Sequence, residues 1–586
     1  MRKSILALAL TLLLLCCGAC ALGEGVMTPA TVPVYYAGLY GEEQAELQVY
    51  FKDGNTQIPY FDTDTVVFLM NKLYQDGYGD YSKDTGYQLQ AVTAGKTVTF
   101  VRENGYTMVV DFDADTLAFR DYDMFVSHSF DTTVIELSHS TGYDAEGQPA
   151  YLQRVTDADF SRYGDELTVN LGDYDIHLIA EDGAFYIPAQ TMNDVLLGET
   201  YTIFLYNGEA CFFLNYENYM NDRTDMSTGY TALFYGAQTG ERSQELIDFT
   251  YNELCLNLDL FYGFKDSRSI TSFDDYFEEI SYNGSDLKSL LKSTDPLDMD
   301  KALRVLTRRA FDDGHSNYRL VSCYTGADKQ DEVMQITSGA SNLQFGAVWV
   351  DYNTARKAAF PDGVPGYQEV GNTAYITFDN FTAPRNVDYY SNPPTDDTAQ
   401  DNFGLLIYAT GQIRREDSPI ENVVLDLSRN TGGMEDAAAY VCAWLLGEAD
   451  IYLQSSTTGA SAVNVYRCDA NLDHVFDEKD TVSDLNLYCL ISPVSFSCGN
   501  LVPCMLKASG KVVLVGRQTG GGSCVVHPVT TASGSFFQIS GYKHISSMKN
   551  GSFYDADQGV EPDVVLTRVE SFYDREALTE LLNSLK

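Results

Sequence analysis

The sequence predicts a multidomain protein with a β-rich N-terminal region over 26–238, a helical linker domain over 239–335 and a C-terminal α/β domain over 336–586. Three observations predict it. Period-2 stretches such as "KTVTFVRENGYTMVVDF" dominate the first part, apolar residues at helical spacing open the second, and strands alternate with helices in the third. With 586 residues, 45% of them hydrophobic, and only 16 prolines, the chain can fill more than one core, and disorder is not expected as its main state.

Residues 1–21, "MRKSILALALTLLLLCCGACA", carry Arg2 and Lys3 ahead of an apolar run that ends in small residues, the layout of a secretory signal. Cleavage is expected after Ala21, or at "CGAC", which resembles a loose lipobox and would leave a lipidated Cys20. No later stretch is long and apolar enough to span a bilayer. The expected location is therefore extracellular or in the cell envelope. Without the leader, 36 basic face 83 acidic side chains, a balance that disfavours nucleic acid and anionic membrane as partners. Nine cysteines remain, an odd number with no Cys-x-x-Cys pair, so buried thiols are expected rather than a zinc site or a disulfide framework.

In the first region Asn104-Gly105 marks a hairpin turn between two alternating strands. "DGNTQIPYFDTDTVVFLM" from Asp53 and "DGAFYIPAQTMNDVLL" from Asp182 share an Asp-Gly followed by Ile-Pro and an apolar helical run, which predicts two copies of one module. They resemble the N-terminal domain attached to copper amine oxidases. Two acidic stretches have a calcium-loop rhythm, Asp111, Asp113, Asp115 and Asp469, Asn471, Asp473, Asp480. Thr116 and His474 stand where an EF-hand needs glycine, so no metal is predicted.

The second region opens with "ERSQELIDFTYNELCLNLDLFYG", where Ile247, Tyr251, Leu254, Leu258 and Phe261 share a helix face, Ser243 can cap and Gly263 can terminate. "MDKALRVLTRRAFDDGHSNY" then runs from a helix into a turn carrying His315.

In the third region "VVLDLSRNTGGMEDAAAYV" places Gly432 and Gly433 between a buried strand and a helix, where unpaired N–H groups can face an anion. "YCLI", "SPVSFS" and "GNLVPCMLKAS" repeat the strand, turn and helix, with Pro503 expected near the first helical turn. Ser497 falls just ahead of that helix, so it is either an ordinary N-cap or a nucleophile with the Cys498 N–H as an oxyanion donor.

"NVVLDLSRNTGG", "SFSCGN", "VVLVGRQTGGGS" and "DQGVEPDVVL", in that order, resemble the S41 serine peptidase family, which includes the C-terminal processing proteases and the tricorn core. The resemblance covers about 240 to 580 and implies a ClpP/crotonase-like α/β spiral. The processing proteases carry a lysine 25 positions after the serine, where this chain has Gly522, so a Ser/Lys dyad is excluded.

The tricorn-like branch instead takes a histidine from upstream of the α/β core, which implies His315 as general base to Ser497, with Gly432 or Gly433 and Cys498 as oxyanion donors. His527 is the rival base. Asp557 is the expected third residue, ahead of Asp555 and Glu561, while Asp312 and Asp313 could orient the imidazole instead. The implied activity is hydrolysis of a peptide or protein substrate through an acyl-enzyme, with no metal or cofactor. The alternative is a non-catalytic ligand- or cell-wall-binding protein on the same scaffold.

Overall fold

A computed structural model describes residues 26–38, 41–78, 88–103, 105–127, 151–155, 161–216, 226–237, 240–384, 387–549 and 552–585. The leader, Cys20 and Asn104 lie outside the described residues.

Period-2 alternation makes the N-terminal half a pair of sheets. One is a five-stranded meander in which Val98, Phe100, Met108 and Val110 are buried while their neighbours are less so. The strands Thr97–Arg102 and Thr107–Asp111 pair antiparallel, with Gly105 at φ 87° in the turn between them. In the seven-stranded sheet the two repeated motifs meet. Strand Ala184–Pro188 pairs antiparallel with Pro59–Asp62, matching Ile187 to Phe61 and Pro188 to Tyr60. Both Asp-Gly pairs take left-handed backbone, at Asp53-Gly54 and Asp182-Gly183. The two motif copies are thus arranged about a local two-fold relation.

Helix Gln244–Phe261 is capped by Ser243, whose Oγ accepts the Leu246 N–H, and it buries Ile247, Tyr251, Leu254, Leu258 and Phe261. It ends at Tyr262, before the predicted Gly263. Further on, Asn317–Leu320 joins a large antiparallel sheet with Phe536–Lys549, Ala449–Ser455, Ser461–Cys468 and Leu152–Val155. This sheet unites strands from all three predicted regions. Leu152 is fully buried among the α/β core residues, and Tyr151 stacks on Tyr390 at 4.8 Å between ring centroids.

The α/β unit centres on six strands in the order Tyr367–Val370, Thr373–Thr377, Asn422–Asp426, Asn486–Ile491, Val512–Gly516 and Val564–Val565, parallel except at the first edge. Their near-continuous apolar runs follow from burial on both faces. Val423 and Leu425 pack with helices Asn402–Ile413, Glu435–Leu446 and Cys498–Ser509. Val424 and Leu490 pack on the opposite side with Tyr352 of helix Ala340–Ala359 and Leu578 of helix Arg575–Ser584. Pro503 lies in the second turn of its helix rather than the first, because the helix starts at Cys498.

Candidate active site

Three adjacent parallel strands, Asn422–Asp426, Asn486–Ile491 and Val512–Gly516, end side by side, and the loops that follow them build the site. This is the edge of a parallel sheet where ligands ordinarily bind. Strand Asn486–Ile491 runs into a turn bolted to its neighbours: Ser492 Oγ donates to Ser428 O at 2.6 Å, Ser495 Oγ to Leu427 O at 2.7 Å, and the Phe496 N–H to Asn430 O at 3.1 Å. From the third strand's loop, Gly520 N donates to Ser495 O at 2.8 Å, and Gly521 O accepts the Ser497 N–H at 3.0 Å.

Held this way, Ser497 adopts φ 57° and ψ −126°, a backbone conformation that costs a non-glycine residue of order 1–3 kcal/mol. It occupies the N-cap position of helix Cys498–Ser509 but makes no capping bond, and its Oγ has no hydrogen-bond partner among the described residues. Gly432 stands against it, so close that an added Cβ would sit 3.0 Å from the Ser497 Oγ.

The neighbouring N–H groups divide unequally. The Gly432 N–H is taken by Asn430 Oδ1 at 2.9 Å. Those of Gly433 and Cys498 have no partner among the described residues and are open to a developing oxyanion. The Cys498 thiol donates to Gly433 O at 3.2 Å, and burial pushes its pKa well above the ordinary value, so it is no thiolate nucleophile. Cys504 is buried on the helix beside Ser546 and Ser547. The nine described cysteines are all free and buried.

His315 is buried, and its ring lies 4.8 Å from that of Phe496, the residue before Ser497. Desolvation lowers its pKa to about 4, against a smaller opposing effect of the Asp313 carboxylate. The imidazole is therefore neutral at neutral pH. Its Nδ1 has no partner, and no hydrogen bond joins it to Ser497 in this conformation. The Phe496 ring sits in a notch made by two glycines: a Cβ added at Gly314 would lie 2.1 Å from it and one added at Gly522 would lie 2.6 Å from it. Phe496 thus fills the space into which a side chain at position 522 would project.

The predicted orienting carboxylates are engaged elsewhere. Asp557 Oδ1 accepts the N–H groups of Gly522 and Ser523, both at 3.2 Å, and does not reach His315. Burial, with the nearby Asp555 and Asp313 charges, raises its pKa to about 6. Asp555 accepts from Ser523 Oγ, whereas at Glu561 it is the main-chain oxygen, not the carboxylate, that accepts from Lys507 Nζ. Asp312 caps helix Ala340–Ala359 through the Ser341 and Asn342 N–H groups, and Asp313 takes Ser316, Ser540 and Tyr262. His527 lies apart from Ser497, packed on Phe261 at 5.1 Å and against Gly198.

A cavity of about 560 Å³ opens beside Phe496, lined also by Phe264, Arg268, Arg308, Phe345 and Asp555. A larger groove of about 900 Å³ lies at the far end of helix Cys498–Ser509, by Met505 and Met548, and shares no residue with this surround. Among the described residues no group of three or more His, Cys, Asp and Glu side chains could hold a metal. The Asp469 and Asp480 carboxylates are turned onto N–H groups of their own loop. No described helix is long and apolar enough to cross a membrane.

A strained serine at the mouth of a helix, on the C-terminal edge of a parallel sheet and beside two open N–H groups, is the arrangement of an α/β serine hydrolase. Residues 372–566 match the model of peptidase family S41. The match takes in Ser497, Gly432, Gly433, Cys498 and Asp557 and leaves His315 outside it.

No curated protein matches the sequence. Among solved structures the chain is similar to a proposed peptidase from Parabacteroides merdae ATCC 43184, at 15% identity over 58% of this chain and 97% of that one, TM-score 0.39. It is similar to a photosystem II D1 C-terminal processing protease at 19% identity over 33% of this chain and 42% of that one, TM-score 0.24. It is also similar to the tricorn protease at 10% identity over 85% of this chain and 46% of that one, TM-score 0.29. The chain thus spans less than half the length of the last two.

Proposed function

We propose that this protein is an exported serine endopeptidase of the Ser/His kind, on a ClpP/crotonase-like α/β spiral, freely secreted or anchored to the envelope through a lipidated Cys20. Ser497 Oγ attacks the scissile carbonyl of a peptide or protein substrate, and His315 takes its proton and returns it to the leaving amine. The Gly433 and Cys498 N–H groups receive the oxyanion.

The observation that carries this reading is the Ser497 hydroxyl itself, held on strained backbone at a helix mouth with no bond to occupy it. Apo enzymes commonly hold catalytic groups looser than the Michaelis complex does, and the Ser/His step requires the unpartnered His315 imidazole to come within hydrogen-bond reach of the hydroxyl. Asp557 acts by fixing the Gly522 and Ser523 N–H groups, and through that loop the Gly521 carbonyl that holds Ser497. The test is labelling by a fluorophosphonate probe. Wild type is expected to label and Ser497→Ala to stay dark; an unlabelled, folded wild type would leave only a binding protein.

A further inference from the structure

We infer that Asn430 is a positioning residue that sets the oxyanion hole, committing Gly432 to the frame and leaving Gly433 as the donor that works with Cys498. This rests on the reading of Ser497 as nucleophile. Asn430 has no exposed surface, and a buried amide in this position must have its donors and acceptors met. Each of its polar groups goes to a different piece of the site. Oδ1 accepts the Gly432 N–H at 2.9 Å, Nδ2 donates to Phe378 O at 3.2 Å, and the main-chain oxygen accepts the Phe496 N–H at 3.1 Å.

One side chain therefore ties the glycine pair to the loop after strand Thr373–Thr377, while its backbone holds the turn that carries Ser497. The first helical turn is pressed onto the same residue: a Cβ added at Gly499 would lie 2.5 Å from Asn430 O and 2.8 Å from its Oδ1. The glycine pair is clamped from its other side, where Phe381 N donates to Gly432 O at 2.8 Å and Met434 N to Phe381 O at 2.9 Å. With its oxygen and its N–H both bound, Gly432 has nothing left to offer a substrate. Gly433, at φ 136°, is exposed and its N–H is free among the described residues.

In phosphonylation the Ser497 Oγ–P bond forms, the P–F bond breaks with loss of fluoride, and the hydroxyl proton passes to His315. The phosphonyl oxygen then occupies the oxyanion position. Asn430→Ala removes the tie, and the maximal labelling rate should fall about 100-fold while the probe's half-saturating concentration moves less than about threefold. Asn430→Asp keeps an acceptor for the Gly432 N–H, so it should recover part of that rate relative to alanine, which a purely structural loss would not produce.

A measurement on wild type covers the case in which neither variant folds. Residue-resolved amide exchange should show Gly432 protected before labelling, with Gly433 and Cys498 gaining protection only after it. Variants that label at the wild-type rate, or a Gly432 amide that is the one to gain protection, would overturn the inference while leaving Ser497 as nucleophile intact. A wild type that does not label, or a Ser497→Ala chain that does, would overturn the reading beneath it.

Discussion

His315 and Phe496 lie ring to ring, 4.8 Å between centroids and tilted by 58°, so the residue immediately before Ser497 forms part of the wall that dries the imidazole. A dried imidazole resists protonation, and its pKa falls to about 4 from an ordinary 6.5. The acid limb of the kcat/KM profile should therefore sit near pH 4. Phe496→Ala admits water and should move that limb up toward 6.5. A limb that stays in place in the variant would show that burial is not its cause.

The same lowered pKa bears on stability. Between about 4 and 6.5 the unfolded chain binds a proton at His315 that the folded chain does not, so this residue makes stability rise with pH across that window. His315→Gln should flatten the dependence of Tm on pH there, as followed by calorimetry.

Gly522 and Phe496 should behave as a coupled pair. Gly522→Ala places a Cβ 2.6 Å from the Phe496 ring on backbone at φ 88°, and a loss of about 1–3 kcal/mol is expected in urea unfolding. Adding Phe496→Ala should return the steric share and leave the backbone share. Strict additivity of the two changes would break the proposed contact.

Asp194 and Glu253 are buried together, with Thr191 Oγ1 donating to Glu253 and both Gln190 Nε2 and Asn193 Nδ2 to Asp194. Desolvation raises the Asp194 pKa to about 7 and pushes Glu253 well above its usual range. Raised carboxyl values mean that the folded state holds protons the unfolded state releases. Their stabilising contribution is complete below about pH 4, and the Asp194 share of it is lost as pH rises through about 7. Glu253→Gln should reduce the loss of Tm between pH 5 and 8; an unchanged slope would show that the pair is not the source.

Arg575 reaches Asp426 at 2.7 Å, both nearly inaccessible to solvent, and lies over the Tyr375 ring at 4.4 Å, pinning the C-terminal helix to the central sheet. Arg575→Ala strands the Asp426 charge and should cost about 3–5 kcal/mol. Limited proteolysis should then find the 575–584 segment first.

The sequence made the central architecture readable because its signals are local. Apolar strands, glycine turns and helix starts follow one another within 10 to 20 residues around Gly432 and Ser497, and the Asp-Gly-Ile-Pro repeat is legible twice. What stayed hidden depends on contacts between distant parts. Nothing near Phe496 announces that Gly314 and Gly522 are small so that its ring can fit. The roles of Asp312, Asp313 and Asp557 depend on which N–H groups stand opposite them, and no spacing rule supplies that. Asn430 sits inside the quoted motif, but its bonds to Phe378 O and Gly432 N appear only after folding. Strand Leu152–Val155 is four residues with one fully buried side chain, too short for an alternation to register.

That short strand determines how the chain can be divided. It forms a ladder with Ser461–Cys468, and Tyr151 beside it supplies the hydroxyl that receives the Tyr389 N–H at 2.6 Å. A fragment starting after residue 238 would present the Ser461–Cys468 backbone as a bare rim and leave an empty socket where Leu152 and Tyr151 belong. Cutting the chain at its apparent seams would yield a sticky, self-associating half rather than a minimal folded unit, so the forepart is a structural component of the α/β half and not a detachable accessory.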